Sequence, residues 1–392
     1  MMQFDIESCS ACMACVNVCH KDAISVTHSA EGFLLPKIDE DKCVHCGLCE
    51  TVCDFRNEVH IGNDMRRAFS FVHSDKRVVE KSSSGGAFTA LSDAILEKNG
   101  VVVGVTYDHE FNVAHAFAVD REGRDRMRGS KYVQSNPGLL YREIKNKLSK
   151  QPVLFVGTPC QCAGLKSYLK KDYDNLFVVD FLCHGVPSNK MFKEHIAYIG
   201  KRHKGQPVDY TFRTKKYGWN SSANVITFAE LFQDQNSYAK KQRRVQEDSS
   251  WLAQAFLTFF AVNLSLRPSC FNCPYRNNHR PSDITIGDFW QIEYLTGKKD
   301  KNGVSFVTVN SSKGELLIRE VEKNVKLKEY TLEQVKFRLP SNATKKPKRY
   351  DAFWNDYQTG GYERVMQKFF NDSFSAKVRW IVKKGVKRFR II

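Results

Sequence analysis

The sequence predicts a small α+β domain at the N-terminus, a larger α/β core and a basic helical tail. Three observations predict it. Two cysteine runs of identical spacing stand within the first 53 residues, with a short alternating segment between them. Further along, apolar strand-like runs end in a cysteine, a Gly/Pro turn and a helix start. Near the C-terminus apolar residues recur at three- and four-residue steps among Lys and Arg.

The bulk numbers bound the class. A chain of 392 residues allows two or three domains with a real core. A hydrophobic content of 42% and a charged content of 26% are those of a soluble globular protein. No run approaches the roughly 18 apolar residues of a membrane span. The opening stretch MMQFDIESCSACMACV has no basic n-region ahead of an apolar core, so it does not read as a signal peptide. The reading places the protein in the cytoplasm, where thiols stay reduced. There, 13 cysteines point to metal or redox chemistry before disulfides. Lys and Arg number 60 against 43 acids, a net +17, which suggests an acidic partner: nucleic acid, anionic lipid or an acidic protein. Nucleic acid is set aside, because no recognised binding motif accompanies the charge.

Residues 9–19 read CSACMACVNVC and residues 43–53 read CVHCGLCETVC, both C-x2-C-x2-C-x3-C. Three thiolates two residues apart wrap one face of a cubane, and the fourth reaches the other cluster. Cys9, Cys12, Cys15 and Cys53 are therefore expected to hold one [4Fe-4S] cluster, and Cys43, Cys46, Cys49 and Cys19 a second. Zinc asks for two pairs of ligands closing a tetrahedron, not for such triplets. The fourth cysteine of such a run is usually followed by proline. Here His20 and Asp54 follow, which loosens the turn without removing a ligand. The intervening AISVTHSAEGFLLPKI reads as a hairpin.

Five cysteines remain. Cys160 and Cys162 lie in VLFVGTPCQCAGL and Cys183 in LFVVDFLCHGVPS. Each stretch is a strand, a turn bearing a thiol, and a helix start. Two such strand ends can lie side by side at one sheet edge, where α/β folds place their sites. Cys270 and Cys273 form a C-x2-C pair in RPSCFNCPYR. Several uses stay open: a third cluster, buried thiols acting as small hydrophobes, a Cys160/Cys162 redox dithiol, or half a zinc site.

Five motifs in order, KSSSGGAFTAL, RGSKYVQS, VGTPCQCAGLK, DFLCHGVPS and SCFNC…SDITIGDFW, carry a resemblance. The chain resembles the coenzyme F-420 (deazaflavin) hydrogenase/dehydrogenase beta-subunit family over roughly residues 1–340. It resembles the bacterial type, with a two-cluster ferredoxin domain at the N-terminus. The resemblance implies an FAD and a third [4Fe-4S] cluster held by Cys160, Cys183, Cys270 and Cys273, with Cys162 left as packing. It also turns a Ser/Gly-rich helix start, otherwise an ordinary capped helix, into a pyrophosphate site. The flavin residues it implies are Ser83, Ser84, Gly85, Gly86, Gly129, Ser130, Lys131, Thr158 and Gln161. His184, beside a ligand, and Asp288 in SDITIGDFW are the weak candidates for catalysis. Asp283 and Asp288 otherwise read as strand acids, as fasteners of the cluster loop, or as walls of a substrate pocket.

The expected organisation is a two-cluster domain over 1–62, a flavin-binding first part of the core over 63–150, a second part with flavin and third cluster over 151–340, and a basic linker and amphipathic tail over 341–392. Val378, Ile381, Val382, Val386 and Phe389 give residues 376–392 an apolar face suited to an anionic membrane surface or an acidic partner. The expected function is a cytoplasmic iron–sulfur flavoprotein oxidoreductase. It takes electrons from an acidic ferredoxin or flavodoxin, steered to a positive face near the N-terminal clusters, and passes them to FAD and an unidentified organic substrate. Relatives occur with surface-glycan genes, which offers one metabolic setting. Two alternatives stand: an electron-transfer beta subunit of a larger complex, and a dithiol reductase using Cys160 and Cys162.

Overall fold

The computed structural model describes residues 4–57, 62–221, 223–233, 241–340 and 344–370. The N-terminal part is a hairpin of β1 (Ile24–His28) and β2 (Leu34–Ile38), with Ile24 opposite Ile38. Short helices at Ala14–Val18 and Leu48–Thr51 flank it. Ala11, Met13, Val16, Ile24 and Leu34 form its small core.

The remaining strands in chain order are β3 (Asn63–Asp64), β4 (Arg67–His73), β5 (Val101–Tyr107), β6 (Val113–Ala118), β7 (Val153–Val156), β8 (Leu176–Phe181), β9 (Gln206–Thr211), β10 (Val225–Gln233), β11 (Lys241–Asp248), β12 (His279–Arg280), β13 (Ile284–Asp288), β14 (Ser305–Val309) and β15 (Val325–Tyr330). Eight of them make one sheet in the order β15-β4-β14-β13-β8-β7-β5-β6. The middle strands β13, β8, β7 and β5 run parallel to their neighbours in that group, and the flanks are antiparallel. The C-terminal ends of β7, β8 and β13 therefore open at one edge. The sequence boundary at 150/151 falls within this sheet: β4, β5 and β6 precede it in the chain and the other five strands follow.

The sheet is covered on both faces, which is why its parallel strands read as continuous apolar runs. Alternate residues take alternate faces. Leu154, Phe177 and Val179 pack with the helices Ala87–Leu96 and Ser312–Val321. Val153, Phe155 and Val178 pack with the helices Leu140–Lys147 and Pro159–Leu169. A third layer gathers aromatics around β9–β11: Phe192, Tyr210, Phe212, Phe256 and Phe259.

The stretch after 340 divides. Tyr350–Phe369 is a helix, and its Phe353, Trp354, Tyr362, Val365 and Met366 are buried in that aromatic layer. Its apolar period is hard to follow in sequence because it breaks at Gly361, where φ is 67° and ψ is −164°, a conformation open to glycine. So the first part of the expected linker and tail belongs to the core. The amphipathic stretch 376–392 lies outside the described residues. Among the described residues no helix is long and apolar enough to cross a membrane.

Candidate iron–sulfur and flavin site

The two N-terminal cysteine runs share a backbone device. Left-handed residues stand two and four places after each first cysteine: Ala11 (φ 55°) and Met13 (φ 64°) in one run, His45 (φ 51°) and Gly47 (φ 74°) in the other. Such a conformation costs a non-glycine residue about 1–2 kcal/mol, and strain of this kind collects at functional sites. Here it curls three consecutive thiols toward one side. Cys19 lines a cavity of about 210 Å3 together with Cys43, Cys46 and Cys49. Burial pushes the Cys15 thiol well up, and Cys12, Cys9 and Cys53 add to the effect, so these four form the second group. The fourth cysteine of each run thus sits with the first three of the other. Backbone N–H groups already face the sulfurs, from Ala11 to Cys9 Sγ at 3.3 Å and from Ala23 to Cys19 Sγ at 3.4 Å.

Asp54, which stands where proline is usual, accepts a hydrogen bond from the buried Tyr275 hydroxyl at 2.5 Å. The departure ties the turn to the core where looseness was expected. Other ties also end beside cysteines. Tyr141 donates to the Cys12 carbonyl at 2.8 Å, and Arg142 to the carbonyls of Asn17 at 2.7 Å and Cys19 at 2.5 Å.

The core group is assembled at the sheet edge. β7 ends at Val156, and Thr158 caps the next helix in a reciprocal arrangement with Gln161, with Pro159 in the first turn. This places Cys160 on the first turn, its Sγ 3.1 Å from Thr158 Oγ1. Cys183 follows the end of the neighbouring β8. Two residues on, Gly185 has φ 133°, and a Cβ there would stand 3.0 Å from Leu266 and 3.3 Å from the Cys270 Cβ. Cys270 rides on a short turn at Pro268–Asn272, and Cys273 follows it. These four cysteines line one cavity of about 350 Å3. Burial pushes Cys183 well up, Cys270 to about 11 and Cys273 to about 12, with neighbouring thiols contributing. They are protonated thiols until a metal displaces the protons, so loading is coupled to pH.

Cys162 is apart. It is fully buried in the sheet-facing core, its Sγ 3.7 Å from the Gly157 carbonyl and 3.6 Å from that of Val179. A buried thiol there has no access for dithiol exchange with Cys160. Cys162→Ala is expected to keep all iron and lose about 1 kcal/mol of stability. Iron analysis beside a denaturant melt checks this; lost iron would make Cys162 a ligand.

The N-terminal spacing is that of cluster ligands. Among the described residues no three His, Cys, Asp or Glu side chains close on one point. A cubane, bonded at its corners, asks for sulfurs spread around a space. The core cavity also holds a charge that needs an anion. Arg267 lines it, is fully buried, and leaves Nη2 without a partner.

The implied flavin residues fall in two places. Ser83 and Ser130 meet, the Ser130 amide donating to Ser83 Oγ at 2.9 Å and the hydroxyls lying 3.1 Å apart. Gly85 needs to be glycine, since a Cβ would lie 2.1 Å from the Phe71 carbonyl oxygen. Gly86, at φ 92°, opens the helix Ala87–Leu96, which has no side-chain cap. That uncapped start, beside the joined serines, fits the anionic end of FAD. Lys131 is otherwise engaged: Nζ donates to the carbonyls of Arg126, Met127 and Arg128, and burial pulls it down to about 7. Gly129 is left-handed at φ 86° and turns the chain ahead of Ser130. Thr158 and Gln161, by contrast, line the four-cysteine cavity. Lys215 connects the two places. Its Nζ donates to the Ser84 carbonyl at 2.8 Å. Asp288 and Arg213 act on it electrostatically, and Arg213 lies over Trp290 of the cavity wall at 4.7 Å.

The catalytic candidates separate as well. His184 lines the cavity, with Nε2 2.6 Å from Asn263 Oδ1, and burial holds its pKa below the usual range. Asp288 has both oxygens engaged, by Arg213 at 2.7 Å and the Trp219 indole at 3.1 Å, which is an anchoring role. Asp283 is buried and accepts from the Val178 amide at 2.8 Å and from Ser311 at 2.6 Å, joining β8 to the start of the helix Ser312–Val321. Arg267, Tyr275, Lys215 and Arg213 were not singled out in the sequence. Lone cations and a tyrosine carry no spacing signal.

Two family models match the chain. Residues 150–335 match the family described as the C terminus of the coenzyme F420 hydrogenase/dehydrogenase beta subunit. Residues 8–57 match the 4Fe-4S dicluster domain. No curated protein matches the chain. Among solved structures, one chain from "Xenon derivatization of the F420-reducing [NiFe] hydrogenase complex from Methanosarcina barkeri" is similar at 17% identity and a TM-score of 0.43, over 79% of this chain and 92% of that one. With a 4Fe-4S dicluster domain ahead of such a core, the chain is an iron–sulfur protein of electron transfer, related over residues 150–335 to the coenzyme F420 hydrogenase/dehydrogenase beta subunit.

Proposed function

We propose that the chain is an oxidoreductase that passes electrons from a carrier protein through three [4Fe-4S] clusters to FAD and on to an organic substrate. The observation that carries the reading is the lining of the core cavity by Cys160, Cys183, Cys270 and Cys273, with Ser10 and Phe55 of the dicluster domain in the same wall. The N-terminal cysteines supply the first two clusters, interleaved as described. FAD would supply the exchange between single electrons and hydride. Protein purified without oxygen is expected to hold about twelve iron atoms and one FAD per chain. About eight iron atoms, or no flavin, would sink the reading.

Counting charge, each oxidised cluster with its thiolates brings about −2 and the FAD pyrophosphate about −2, so the loaded chain keeps roughly +9. That surplus is unevenly placed. Residues 1–57 hold nine acids and four basic residues. Within this stretch acids outnumber basic residues, so the N-terminal segment contributes no positive surplus of its own. Asp39, Glu40, Asp41 and Glu50 stand near the second cavity, where Cys46 and Val44 are exposed. An acidic ferredoxin docking there meets like charge. Its rate of reducing the protein is expected to rise with salt over tens of millimolar, as repulsion is screened. Stopped-flow traces at increasing ionic strength check this; a rate that falls with salt would restore a positive docking face.

The family's description as a beta subunit favours a second reading, in which the chain serves a larger complex and has no substrate of its own. Purified protein that reduces small molecules only after a partner subunit is added would select it.

A further inference from the structure

Arg267 is a fully buried guanidinium without a carboxylate. Among the described residues no ion pair involves it. Its hydrogen bonds go to neutral acceptors: Nε to the Cys9 carbonyl at 2.7 Å and to Ser269 Oγ at 3.1 Å, Nη1 to the Leu34 carbonyl at 2.9 Å and Gln134 Oε1 at 3.3 Å. Nη2 has no partner. A guanidinium does not deprotonate in a protein, and an uncompensated buried charge costs several kcal/mol. Cys9 of the first N-terminal set, Cys270 and Cys160 of the core set, and Tyr350 lie close enough to act on it electrostatically once ionised. By contrast Arg280, equally buried on the same cavity, is paired with Asp180 at 2.9 Å. Of the two fully buried arginines on this wall, Arg280 is paired with a carboxylate and Arg267 is not.

We propose that Arg267 is a redox-tuning cation shared by two cluster sites, the core site and that of Cys9, Cys12, Cys15 and Cys53. The proposal rests on the three-cluster reading. Each reduction adds one electron from the carrier protein and one unit of negative charge to a site already near −2. Arg267 stays charged in both states and no proton moves at it. Its field favours the reduced form on both sides, so it raises both potentials. It also lowers the penalty of placing two negative sites back to back. The residue positions and tunes; it is not a reacting group.

The test is a potentiometric titration followed by electron paramagnetic resonance on anaerobically purified protein, with iron counted in each sample. Three variants separate charge from packing: R267Q removes the charge, R267K keeps it, and Q134E sets a carboxylate on the guanidinium without removing it. R267Q and Q134E are expected to disfavour reduction at least tenfold, about 59 mV for one electron, while R267K stays within threefold of the unaltered protein. Unshifted potentials in R267Q and Q134E at full iron would overturn the proposal, as would a tenfold loss in R267K equal to that in R267Q. If R267Q takes up no iron, Q134E decides alone. If the unaltered protein itself holds only about eight iron atoms, the three-cluster reading has failed instead.

Discussion

Cys183→Ala is expected to lower the iron of anaerobically purified protein from about twelve atoms per chain to about eight. Cys183 sits where β8 ends, beside β7 and its Cys160, and lines the cavity with Cys270 and Cys273. Cys162, the leftover cysteine, faces the carbonyls of Gly157 and Val179 and not the cavity. Loss of one ligand also leaves Arg267 in a cavity with fewer anions, so flavin retention should fall with the iron. Iron and flavin counts on one preparation read both. A variant that keeps twelve irons would take Cys183 out of the ligand set.

Gly164→Ala should have an effect of similar size from a far smaller change. The residue lies within the helix Pro159–Leu169, where alanine would ordinarily add about 1 kcal/mol of helix stability over glycine. Here a Cβ would stand 2.8 Å from both Cβ and Sγ of Cys12. Cys12 cannot simply swing away, because Tyr141 holds its carbonyl and the left-handed Ala11 and Met13 flank it. The expected result is loss of about four irons, those of the first N-terminal cluster, with the second N-terminal cluster kept. Unchanged iron and unchanged spectra in Gly164→Ala would mean that the dicluster domain sits more loosely on the core than its contacts imply.

The parts of this protein that were legible in sequence are those where chemistry fixes spacing. C-x2-C-x2-C-x3-C states its geometry in eleven residues, and Cys19 indeed lines one cavity with Cys43, Cys46 and Cys49. Apolar runs ending in Pro159-Cys160 and in Cys183 announced neighbouring strand ends, because a parallel strand buried on both faces must be continuously apolar. What was hidden depends on tertiary contact. Nothing around Arg267 or Tyr275 indicates that a charge and a hydroxyl will be buried against the dicluster domain. The helix Tyr350–Phe369 was hidden behind a glycine pair and a basic approach, though its aromatic residues fill a core layer. Lys131, expected among the flavin residues, donates to three carbonyls at a helix end, an arrangement that no spacing in the sequence announces.

Several ties between the two parts of the chain end beside cysteines: at the carbonyls of Cys9, Cys12 and Cys19, and at the side chain of Asp54. A domain fastened at such points is not a swinging arm. Loosely tethered carrier domains must find their dock for every electron, on the microsecond-to-millisecond timescale of hinge motion. Here that search is completed once, when the chain folds. Under the proposed function, transfer across the internal boundary would run at a fixed rate, indifferent to solvent viscosity, and the diffusive step would move outward to the encounter with the donor protein.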